Sequence, residues 1–110
     1  MTDGFIIGEI NMDTVRFFHE NKNKLIFQDV HFSARVENSK VLLRFYVTIN
    51  DKHFDYTLNP SVESGKSFCK TGKVTIRDPK ENDLAVITMD KNQVIKRLSQ
   101  IPQCKEWIEK

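Results

Sequence analysis

Between residues 26 and 58 the chain alternates apolar and polar side chains in three consecutive runs, separated by Asn38-Ser39 and Asn50-Asp51. Alternation of period two puts every second side chain on one face of a strand, and a two-residue polar turn joins antiparallel neighbours. With the first turn at Asn38-Ser39, Val36 faces Val41, Ala34 faces Leu43, Phe32 faces Phe45 and Val30 faces Val47. With the second at Asn50-Asp51, Val47 faces Phe54, Phe45 faces Tyr56 and Leu43 faces Leu58. Two turns placed independently therefore give one apolar face. A slip of one residue in either hairpin would drive His31 or Asp55 into it, so the register is strongly specified. The sequence predicts a three-stranded antiparallel meander, with Glu37 opposite Lys40 beside the first turn.

The flanking segments supply the rest of a small α+β fold. Gly4-Phe5-Ile6-Ile7-Gly8-Glu9-Ile10 is short, β-branched and bounded by glycine, which reads as a first strand. Asn11 or Asp13 offers a cap for a helix whose apolar face runs through Val15, Phe18, Lys22 and Leu25, ending within 21–24. Residues 61–72 are polar without a period and read as a surface loop. Two further strands, 73–77 and 84–89, enclose a turn at 78–83, and the unbroken apolar run 84–89 suits a strand covered on both faces. Asp90 followed by Gln93 opens a last helix along Val94, Leu98 and Ile101, which Pro102 interrupts before Cys104, Trp107 and Ile108. The expected order is β-α-β-β-β-β-β-α in one mostly antiparallel sheet of five or six strands. An early helix packs on its apolar face, and a C-terminal helix closes the same side or an edge.

At 110 residues the chain is one domain's worth of material, so 1–110 is expected to be a single α+β domain. No stretch approaches the roughly 20 apolar residues of a membrane span. An acid at Asp3 stands where a secretory signal would carry positive charge, and Asn59-Pro60-Ser61 has the proline that spoils a glycosylation sequon. Two scattered cysteines, Cys69 and Cys104, fit free thiols in a reducing compartment. These features together predict a cytoplasmic protein. The net charge of +2 is too small to attract a polyanion by itself, although its positive excess gathers in 61–80 and in 91–110.

Each motif that would carry catalysis is incomplete. Ser64-Gly65-Lys66-Ser67 resembles the end of a phosphate-binding loop, but Pro60 stands where its first glycine belongs. His19-Glu20 lacks the second histidine of a zinc-protease helix. Cys69 lies between Lys66 and Lys70 without a neighbouring base in sequence. On the outer face of the meander His31, Tyr46 and Asp55 form one row. Its outer members are about 9.6 Å apart, twice the strand spacing, too far for a direct dyad or for zinc shared with Asp29 and His53. No catalytic residue, metal or cofactor is expected.

The same outer face carries Arg35, Leu42, Arg44 and Tyr46 with His31 and Asp55, and arginine and tyrosine dominate the energetics of protein interfaces. The leading expectation is a small intracellular, non-catalytic protein-binding module, of the inhibitor or immunity type made by bacteria and phages, that occludes a partner protein. The alternative is nucleic-acid binding through Lys66, Lys70, Lys73 and Arg77, with Phe68 stacking on a base.

Overall fold

The computed structural model describes residues 4–108. The elements run β1 (Phe5–Ile7), α1 (Met12–Glu20), β2 (Phe27–Glu37), β3 (Lys40–Ile49), β4 (Lys52–Leu58), α2 (Val62–Thr71), β5 (Lys73–Arg77), β6 (Asp83–Thr88) and α3 (Lys91–Leu98). A 3₁₀ turn (Pro102–Cys104) and α4 (Lys105–Ile108) close the chain. The class is α+β, but the strands form two three-stranded sheets instead of one larger sheet. The meander β2-β3-β4 is wholly antiparallel, whereas β1-β5-β6 is mixed because β1 runs parallel to β5.

The meander adopts the register its alternation specifies. Val36 pairs with Val41, Ala34 with Leu43 and Phe32 with Phe45 across the first hairpin, and Leu43 with Leu58, Phe45 with Tyr56 and Val47 with Phe54 across the second. Both turns have positive φ at their two central residues, 53° and 66° at Asn38 and Ser39 and 51° and 66° at Asn50 and Asp51. This is the twist that matches paired strands. The expected pairing of Val30 with Val47 fails, since the register shifts between Gln28 and His31. Asp29, at φ 41°, forms a bulge there, so that Asp29 and Val30 together oppose Val47. The bulge brings Phe27, not Gln28, opposite Ile49. An uninterrupted ladder would have placed glutamine against a fully buried isoleucine.

The segment 61–72, read above as a loop, is a helix. Ser61 caps it through the Ser64 N–H at 3.2 Å, and Gly72 ends it at φ 70° with its N–H on the Phe68 carbonyl at 2.7 Å. Its inner face is Gly65, Phe68 and Cys69, all buried. Phe68 lies among the rings of Phe5, Phe32 and Phe45, with centroids 6.4, 5.6 and 5.5 Å away. One α2 side chain thus fills the space between the two sheets. A second group joins α1 to the meander, where Phe18 stacks on Phe54 at 5.5 Å.

Two smaller expectations also change, and a third holds. α1 begins at the Asn11 cap, with the Thr14 N–H donating to Asn11 Oδ1 at 2.8 Å, and ends at Glu20 before reaching Lys22 or Leu25. There Asn21 bonds the Phe17 carbonyl through both its backbone N–H and its amide, ending the helix. β6 is an edge strand with Val86 44% exposed, and the strand covered on both faces is β5, through Val74, Thr75 and Ile76. The C-terminal segment docks as expected, burying Cys104 and Trp107.

Candidate functional site

On the outer face of the meander, His31, Tyr46 and Asp55 occupy one row of the ladder, as the register requires. Their side chains do not work as a row. Asp55 turns one position along its neighbour and takes a two-pronged bond from Arg44, Nε to Oδ1 at 2.9 Å and Nη2 to Oδ2 at 2.5 Å. The planar guanidinium matches a carboxylate in this geometry and fixes both groups. That hydrogen bond holds the Asp55 carboxyl below the usual carboxylate range and raises the Arg44 guanidinium further.

Tyr46 turns toward His53 on β4. The rings stack at 5.9 Å between centroids, and the phenolic oxygen lies 3.3 Å from Nδ1. Thr48 Oγ1 lies 2.9 Å from the same nitrogen. One imidazole nitrogen is thus flanked by two hydroxyls and positions the tyrosine instead of meeting a carboxylate. His31 stands apart on β2, bordering a groove of about 290 Å³ with Asp90, Gln93 and Arg97 of the α3 region. Arg35 pairs within its own strand, its Nε 3.1 Å from Glu37 Oε2, opposite Leu42.

The result is a strip centred on β3, the middle strand of its sheet, along which Leu42, Arg44 and Tyr46 follow one another. Leu42 and Tyr46 are half-buried and Arg44 is exposed. The strip balances its own charge and is held laterally by β2 and β4. Among the described residues no group of three His, Cys, Asp or Glu stands close enough to share a metal ion.

The residues expected to bind nucleic acid do not assemble. Phe68 is fully buried and has no face for a base. Lys66 and Lys70 lie exposed on α2, while Lys73 is half-buried on the central strand β5. Arg77 is tied to Asp83, Nε to Oδ1 at 2.6 Å. The interrupted period of 61–72 hid this arrangement, because the inner face of α2 is marked by small residues around one phenylalanine.

Sequence reasoning missed a recess of about 460 Å³ among α2, α3 and α4, lined by Lys66, Cys69, Lys70, Lys91, Ile95, Trp107 and Ile108. No motif announces it, since its walls come from three helices that meet only in the folded chain. Its one cysteine, Cys69, is buried. Burial, with the Cys104 thiol nearby, pushes the Cys69 pKa up to about 11.

In comparisons with known proteins, no family model, no curated protein and no solved structure matches this chain.

Proposed function

We propose that the protein is a small non-catalytic module that binds another protein with the outer face of the meander, in the manner of an inhibitor or immunity protein that occludes its target. The observation that carries this reading is the preorganised row on β3, with Arg44 clamped by Asp55 and Tyr46 stacked on His53. Arginine and tyrosine contribute most where they are already fixed, because binding then costs less side-chain entropy. Leu42 adds an apolar contact beside them. The two cysteines are free and buried, which supports a reducing compartment and hence a cytoplasmic setting. No helix among the described residues is long and apolar enough to cross a membrane.

Because Arg44 and Arg35 are already paired with carboxylates, this face presents little unbalanced charge. Association through it should change little with salt, in contrast to a phosphate-tracking interface. The test is affinity capture from the host lysate with wild type and with a double variant, Arg44→Ala and Tyr46→Ala, each with and without nuclease. The reading requires a protein held stoichiometrically by the wild type in both lysates and lost by the variant. Retention by the variant would remove this face from consideration. Loss only upon nuclease treatment would favour nucleic acid.

A further inference from the structure

We propose that the recess between α2, α3 and α4 binds a small organic anion with an apolar body, its charge held by Lys66, Lys70 and Lys91 and its body lying on Ile95, Trp107 and Ile108. A volume of about 460 Å³ is in the range of small-molecule sites. The floor is apolar, while all three charged residues that line it are lysines. Lys66 and Lys70 sit one helical turn apart on α2, a spacing at which like charges repel and weaken a helix. Lys91, the first residue of α3, lines the same recess. Among the described residues none of the three is ion-paired. Asp90, next to Lys91 in the chain, is engaged with the N–H groups of Asn92 and Gln93 as the cap of α3.

Three lysines lining one recess beside an apolar wall give it a positive balance that an anion would relieve. An inorganic anion would use the rim alone. The Trp107 indole and the two isoleucines favour a ligand that also has an apolar part. Carboxylates of the acyl type and aryl phosphate esters share this chemistry, and they can be told apart by titration.

The chain has a single tryptophan, so its fluorescence reports on this recess without interference. The full chain is titrated separately with decanoate, phenyl phosphate, decyltrimethylammonium and inorganic phosphate. Saturable change with decanoate or phenyl phosphate, and none with the other two, is the expected result. The stronger anion identifies the class of ligand. A triple variant, Lys66→Gln, Lys70→Gln and Lys91→Gln, should bind about tenfold more weakly at an unchanged unfolding temperature. Equal binding of the cationic chain, equal binding by the triple variant, or no saturation by either anion up to about 10 mM would overturn the proposal. Saturation by an oligonucleotide but by neither small anion would overturn it as well.

Discussion

The indole of Trp107 occupies the space that a side chain on Gly65 would need. A Cβ at residue 65 would overlap Cδ2 of the ring and lie 2.5 Å from Cε2 and 2.8 Å from Cε3. Glycine inside a helix costs about 1 kcal/mol relative to alanine, so propensity alone favours Gly65→Ala. Here the overlap opposes it. We expect Gly65→Ala to destabilise the protein by about 1–3 kcal/mol, the range for overpacking a core. Urea unfolding followed by Trp107 fluorescence measures this, and a more stable variant would mean that the indole does not rest on α2.

Phe68 is the ring on which both sheets close, since Phe5 comes from β1 and Phe32 and Phe45 from the meander. Phe68→Ala should cost about 3–5 kcal/mol, a large part of a small domain's stability. Val86→Ala on the exposed edge of β6 should stay within about 0.5 kcal/mol. Equilibrium denaturation of the pair checks the contrast. Comparable losses would mean that the core is not organised around α2.

Asp78 is the hub of the 78–82 turn. Its Oδ1 accepts from the Lys80 N–H at 2.9 Å and the Asn82 N–H at 2.8 Å, and its Oδ2 accepts from the Asn82 amide at 3.2 Å. The bond from the Asn82 backbone is the main cause that holds its carboxyl below the usual carboxylate range. A carboxyl whose folded pKa is depressed contributes stability above its unfolded value, about 4, which is lost as pH falls through the folded value. Asp78→Asn should therefore reduce stability at neutral pH and flatten the decline below about pH 4. Thermal unfolding between neutral and acidic pH tests both. An unchanged acid limb would assign that decline to other carboxylates.

The thiols of Cys69 and Cys104 have the opposite sign. Burial pushes each up to about 11, so the folded protein keeps protons that the unfolded chain releases from about 9 upward. Their contribution is complete below the unfolded value and declines as pH rises through the folded one. Burial of the Tyr56 phenol raises its pKa and adds in the same direction. At pH 8 Cys104, which is fully buried and lines no recess described above, should react with a disulfide reagent only as fast as the protein opens, and at the ordinary thiol rate in denaturant. Rapid labelling of Cys104 in the folded protein would contradict its burial.

The meander was legible because alternation, turn chemistry and register all gave the same answer. Asn38-Ser39 and Asn50-Asp51 adopt left-handed conformations, which asparagine and aspartate tolerate well, and the apolar residues meet as paired except Val30, which the bulge at Asp29 displaces. α2 was not legible from period alone, because Gly65 and Cys69 share its buried face with a single large residue, Phe68. Its ends were written plainly in Ser61 and Gly72. The division into two sheets was beyond local pattern. The pairing of β1 with β5 joins Phe5 to Val74, and the order of strands in a sheet is settled by tertiary packing. At the site, the register placed Tyr46 between His31 and Asp55, but the bonds run diagonally to His53 and from Arg44. Side-chain length decides that, and a period-two pattern carries no information about it.

The most direct measurement of the binding reading places a photo-crosslinking amino acid at Leu42, on the outer face of β3, and separately at Val86, on the exposed edge of the other sheet. Irradiation in the host lysate should give one adduct of defined mass from residue 42 and none from residue 86. An adduct from residue 86 with none from 42 would contradict the account, and so would the absence of adducts from both.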